Sequence, residues 1–252
     1  MKISILTLFP EMFVGPFDHS IVKRAQEKGA IEIELINIRD FGVGSHKMVD
    51  DTPYGGGVGM VLKVDVVHQA IEYAKQRHSG KREPSASRIL SNTDSGQARM
   101  TRVVLMSATG TPFEQPTAKA YASLDHLILI CGHYEGIDAR IGAYIDEEVS
   151  IGDFVLTGGE IPTMLITDAV TRLIPGVLPQ GATDNESFSL SGEKETETYL
   201  EYPHYTKPAA YNGMEVPEVL RGGNHKEIAA WKKEQSRLIT KTVRPDLLKK
   251  AE

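Results

Sequence analysis

Three short segments, "SATG" (Ser107–Gly110), "CGHYEG" (Cys131–Gly136) and "TGGE" (Thr157–Glu160), each close an apolar run with glycine. Glycine lets other atoms approach bare main chain, so three such exits from neighbouring strands would turn backbone N–H and C=O groups toward one flat polar ligand. Each alone would serve equally as a tight strand-to-helix turn; their recurrence within one stretch favours a ligand. The pair Gly158–Gly159 in "SIGDFVLTGGEIP" exceeds what a corner requires. A second cluster, "VDDTPYGGGVGM" (Val49–Met60), removes the side chains that would hold a planar group at a distance. With Tyr54 as a stacking face it predicts contact with a nucleobase, a flexible hinge being the alternative.

Other chemistries lack their residues. No G-x-G-x-x-G or G-x-x-x-x-G-K-[ST] follows a strand, so a dinucleotide or nucleoside triphosphate would find no phosphate cradle; "GVGSHK" at Gly42 continues wrongly. Cys131 is the single cysteine, which excludes an internal disulfide and a cysteine-based zinc cluster, and the eight histidines show no paired ligand spacing. The net charge of −6 argues mildly against a nucleic-acid partner. Its distribution changes that reading: residues 203–252 hold ten lysines and arginines against six acids, and Lys75–Arg102 holds seven against two. Both stretches would steer a polyanion, or act as solvated faces. The opening "MKISILTLFPEMF" is too brief for a signal peptide and no apolar run reaches a membrane span, so the cytoplasm is expected.

The elements that must position these segments alternate. "ISILTLF" (Ile3–Phe9), "AIEIELINI" (Ala30–Ile38), "VVLMSA" (Val103–Ala108), "HLILIC" (His126–Cys131) and "DFVL" (Asp153–Leu156) read as strands. Between and after them, 19–29, 65–77, 115–124, 136–145 and 159–174 read as helices, Pro116 suiting a first turn. This predicts an α/β fold, a mainly parallel sheet with helices on both faces. The basic loop around 78–100 is left without structure. From Pro175 the chain reads as a linker, and "NHKEIAAWKKEQSRLITKTV" as a helix with Ile228, Trp231, Leu238 and Ile239 on one stripe. The expected organisation is a domain over 1–177, a linker over 178–195 and a small helical domain over 196–252.

"VDDTPYGGGVGM", "CGHYEGID", "SIGDFVLTGGE", "RLIPGVL", "PHYTKP" with "GMEVPEVL", and "GNHKEI" closely resemble, in order and spacing, the bacterial tRNA (guanine-N1)-methyltransferases, from residue 1 to about 250. The resemblance implies a SPOUT fold with a deep C-terminal trefoil knot, a rare exception to unknotted connectivity. It also implies S-adenosylmethionine as donor, an antiparallel homodimer with its active site at the subunit interface, and methylation of guanosine 37 of tRNA. By motif position the donor would be held by Ser107, Ala108, Gly132, Tyr134, Glu135, Ile151, Gly152, Asp153, Phe154, Val155, Leu156, Gly158, Gly159 and Pro162. RNA would be met by Asp50, Tyr54, Gly55, Gly56, Gly57, Gly59 and Ser187, and by the C-terminal domain as a tRNA-binding module. Glu135 is the implied ligand of a magnesium ion.

N1 of guanine carries a proton and becomes nucleophilic only when that proton leaves and charge spreads to O6, so a base and a cation are needed. By the resemblance these are Glu186 in "DNESF", where the family most often has aspartate, and Arg172 in "TRLIPGV". His133 and Ala139 stand where the family usually has arginine and often glutamate. The competing readings are a knotted ribose 2′-O-methyltransferase, a catalytically silent RNA-binding homologue, and a dehydrogenase, which its missing phosphate loop rejects.

Overall fold

The computed structural model describes residues 1–78, 100–192 and 197–248. The chain forms two compact units, Met1–Leu178 and Pro179–Glu252. The first contains, in order, β1 (Lys2–Thr7), α1 (Ser20–Glu27), β2 (Glu32–Asn37), β3 (Asp50–Asp51), β4 (Val61–Leu62), α2 (Val64–His78), β5 (Thr101–Pro112), α3 (Gln115–Ala122), β6 (His126–Cys131), β7 (Glu147–Ser150) and α4 (Glu160–Thr171). Five of the strands form one parallel sheet in the order β2-β1-β6-β5-β7.

Burial explains the solid apolar runs. All residues of β1 and β6 are buried, as expected of inner strands covered on both sides. Side chains alternate between two layers. Ile3, Ile5, Leu127, Leu129 and Cys131 meet Val22 of α1, Tyr121 of α3 and Ile166 and Val170 of α4. Leu6, Ile128 and Ile130 meet Val66, Val67, Ala70, Ile71 and Ala74 of α2, and Ile141. Moves toward β2 therefore use one face and moves toward β7 the other, so the crossovers share one hand. At the carboxyl edge, β6 sends its chain to the α2 face while its neighbours β1 and β5 send theirs to the opposite face. A ligand crevice opens at such reversals.

Two expectations are corrected. Asp153–Leu156 is not a strand: Gly152, at φ 148°, turns the chain just after β7, and Phe154, Val155 and Leu156 are exposed. The strand is Glu147–Ser150, whose two leading glutamates hid it from any apolar pattern. The helix expected over 136–145 is a short 3₁₀ segment, Ala139–Ala143. Residues 79–99, most of the basic loop, lie outside the described residues.

In the second unit, β8 (Leu190–Ser191) pairs with β9 (Thr198–Tyr199), β10 (Ala210–Tyr211) pairs with β11 (Met214–Glu215), and α5 (Glu218–Arg221) precedes α6 (His225–Val243). The Asn224 side chain caps α6 by accepting from Lys226 N at 3.2 Å. Its inward line runs through Trp231, Ser236, Ile239 and Thr240, with Thr240 Oγ1 accepting from Leu200 N at 2.8 Å. Leu238 stays exposed, off that line by about 100° from Ile239. Residues 187–191, expected within a linker, lie in this unit: Phe188 N donates to Tyr199 O and Glu201 N to Ser187 Oγ.

Candidate active site

Three strand exits meet at the carboxyl edge of the sheet. In β5, Met106 and Thr111 both pair with Val149, so Ser107–Gly110 bulges out of register rather than forming the loop expected. The bulge is fixed by Ser107 Oγ and Thr109 Oγ1 at 2.8 Å and by Thr109 Oγ1 donating to Glu148 Oε2 at 3.2 Å. The exit of β6 places Tyr134 at φ 61°, a left-handed conformation uncommon outside glycine, with its ring partly exposed. The exit of β7 crosses the end of β5 and joins β6: His133 bridges Gly158, and Gly159 N donates to Gly132 O at 2.8 Å.

The glycine pair has a reason within the chain itself. A Cβ on Gly159 would lie 2.7 Å from Cys131 Cα and 2.8 Å from Gly132 N. One on Gly158 would lie 2.4 Å from Glu160 Oε2 and 2.6 Å from His133 Nδ1. The protein's own chain lies against the side of this bare backbone that a Cβ would fill. Because the obstacle at Gly159 is main chain, Gly159→Ala is expected to cost about 1–3 kcal/mol. That lowers the thermal midpoint of the first unit by roughly 2–4 °C per kcal/mol, checked by calorimetry.

The second glycine cluster reaches the same edge. Glu135 N donates to Met60 O at 3.1 Å, Leu62 N to Gly136 O at 3.0 Å, and Gly59 lies against the Glu135 side chain. Gly55 and Gly56 have open space on the side a Cβ would fill, and Tyr54 is fully exposed. Asp50 is half-buried in β3, paired with Leu62 of β4. Phe154, Val155 and Leu156 present apolar side chains beside exposed Asp153, whereas Pro162 is buried inside the first turn of α4. Arg172 is the C-cap of α4, its N donating to Asp168 O at 3.2 Å. Glu186 and Ser187 belong to the second unit, where Ser189 N donates to Glu186 O at 3.0 Å.

Magnesium would need about six oxygen ligands. No group of three His, Cys, Asp or Glu suited to a metal exists among the described residues, and Glu135 alone does not make such a site. Beside it, Asp138 accepts from Arg140 Nη2 at 2.6 Å, Nε at 2.9 Å and N at 3.0 Å, which lowers its carboxyl to about 2. With the folded value depressed, the stability this carboxylate contributes is present above its unfolded value of roughly 3.9 and lost as pH falls through the folded one. By NMR titration its midpoint is expected near 2, and Arg140→Gln should return it toward the ordinary value. Sequence reasoning gave Arg140 and Glu160 no role and marked His133 only as a departure from the family's usual arginine; their partners, Asp138 for Arg140 and each other for His133 and Glu160, emerge only from proximity.

Together the parallel sheet, the reversal at β6 and the converging exits define an open α/β protein, a class in which ligands bind at the carboxyl ends of the strands. The family model for tRNA (Guanine-1)-methyltransferase TrmD matches residues 1–250, and the chain belongs to that family. It is 48% identical to the tRNA (guanine-N(1)-)-methyltransferase of Pelotomaculum thermopropionicum over all of this chain and 91% of that protein. The identically named proteins of Carboxydothermus hydrogenoformans and Bacillus cereus are 49% and 47% identical, over 99% and 100% of this chain and 88% and 93% of theirs.

Proposed function

We propose that this protein transfers a methyl group from S-adenosylmethionine to N1 of guanosine 37 in the anticodon loop of tRNA. The observation that carries the reading is the docking of the Gly158–Gly159 turn on Cys131–Gly132, which gathers the β5, β6 and β7 exits at one edge. The donor is held there by Ser107, Gly132, Tyr134 and the Ile151–Leu156 turn, its apolar flank met by Phe154, Val155 and Leu156. When bound, it supplies an electrophilic methyl group. Burial, with Glu160 beside it, pushes the Cys131 thiol up, so this cysteine is no competing nucleophile.

Glu186 accepts the proton from guanine N1, and Arg172 neutralises the charge that spreads to O6. Tyr54 and Gly55–Gly59 offer an open, aromatic-edged surface to the target base. The second unit, whose last fifty residues carry the basic excess, holds the tRNA. The route of the β7 exit across β5 into the end of β6 supports a trefoil knot. Ile161 and Leu165, one turn apart on α4 and both exposed, support a homodimer that completes the site. No described helix is long and apolar enough to cross a membrane, and the tRNA substrate puts the enzyme in the cytoplasm. A magnesium ion at Glu135 would depend on oxygens brought by donor and tRNA, and no step uses it here.

The test is to incubate unmodified tRNA transcripts with labelled S-adenosylmethionine and map the methylated atom. Label on N1 of guanosine 37 is the expected result; label on a ribose oxygen, or none, overturns the reading.

A further inference from the structure

Behind the strand exits, the first turn of α4 buries a carboxyl group that the proposed chemistry does not use. Glu160 is 2% exposed. Its Oε1 accepts a 2.8 Å hydrogen bond from Thr7 Oγ1, which in turn accepts from Phe9 N at 2.9 Å. Its Oε2 faces His133 Nδ1 at 4.0 Å, and that ring nitrogen is buried with no hydrogen bond of its own. The gap is about 1 Å longer than a hydrogen bond. Gly158 sits directly beside it: a Cβ there would press on both atoms, 2.4 Å from Oε2 and 2.6 Å from Nδ1. The His133 ring packs against Phe9 and Tyr134, with centroids 4.8 and 5.1 Å apart.

One side chain thus touches the end of β1, the exit of β6 and the start of α4. Burying a carboxyl is unfavourable unless its oxygens are engaged, and an aliphatic residue would fill the same volume without that cost. The cost is reduced at the positive end of α4, but the helix end leaves the pairing with His133 unexplained. The bare face of Gly158 is what leaves the space between the two atoms clear.

We infer that Glu160 is a positioning residue of the methyl-donor cradle, acting through His133 to hold the Gly132–Glu135 exit against the Gly158–Gly159 turn. This rests on the reading that the donor lodges at these exits. Glu160 itself touches neither donor nor base; it sets where Gly132 and Tyr134 stand.

The test is a double-mutant cycle on the full chain, with S-adenosylhomocysteine binding followed by calorimetry and folding checked by circular dichroism. Glu160→Leu and His133→Phe are each expected to weaken binding about tenfold, and the double variant no more than either alone, because both remove one contact. Glu160→Gln keeps an acceptor for Thr7 and presents an N–H to Nδ1, so it should stay within about threefold of the unaltered protein. The KM for tRNA should not move. The inference is overturned by full affinity in a folded single variant, by multiplied losses in the double variant, or by a Gln variant as weak as the Leu one. Should Glu160→Leu fail to fold, full affinity in His133→Phe overturns it alone. Absence of binding by the unaltered protein would instead overturn the donor reading beneath it.

Discussion

Glu186→Gln is expected to lower methyl transfer to unmodified tRNA by about 10²–10⁴-fold, the contribution of a positioned general base, while donor affinity stays at its original value. The amide keeps the size and loses the proton acceptor, so a defect confined to turnover identifies proton removal from N1. The segment around Glu186 is held in place within the second unit. Ser189 N donates to Glu186 O at 3.0 Å, Ser187 Oγ accepts from Glu201 N at 3.0 Å, and the Arg244 guanidinium lies 5.9 Å from the Phe188 ring centroid. These contacts fix which acid of "DNESF" occupies which position. Asp184→Asn serves as the control and should retain activity. Inactivity of Asp184→Asn with an active Glu186→Gln would move the base by two residues and refute the assignment.

Arg172→Ala is expected to lower kcat by about 10²–10³-fold, as when one donor to a developing oxyanion is removed. The residue ends α4, where a cation also faces helix carbonyls, an interaction worth about 0.3–1 kcal/mol. Loss of that interaction alone would shift the melting midpoint and spare kcat, so measuring both separates the roles. The same variant tests assembly of the site. If Arg172 of one subunit works with Glu186 of the other, mixing and re-equilibrating Arg172→Ala with Glu186→Gln chains should restore about a quarter of the original sites. If both belong to one subunit, the mixture stays inactive.

Much of the architecture could be read from periodicity. β1 and β6 announced themselves as unbroken apolar runs because both of their faces are covered, and α2 through Val66, Val67, Ala70, Ile71 and Ala74 on one side. β7 did not, since two of its four residues are glutamates and its pairing partner is a bulged strand. The apolar residues that imitated a strand, Phe154–Leu156, are exposed at the rim of the candidate site. Pattern rules assume that apolar means covered by the same chain, and this turn breaks the assumption. The glycines were legible as close approaches, but not what approaches: a Cβ on Gly159 would lie 2.7 and 2.8 Å from main-chain atoms of the β6 exit. The pairing of Thr7 with Glu160, 153 positions apart, has no local signature.

The sheet order has a consequence for synthesis. β1 leaves the ribosome before the other strands of its sheet, yet it lies inside that sheet, and the edge that Ile3 and Ile5 will share with Leu127 and Leu129 has no mate until the chain has grown by more than a hundred residues. At roughly 5–20 residues per second, that edge waits on the order of 6–25 s. Throughout that interval the newborn β1 segment carries a row of unpaired backbone N–H and C=O groups between two apolar faces. Shielding it on the nascent chain is a demand set by strand order alone, before any tRNA is met.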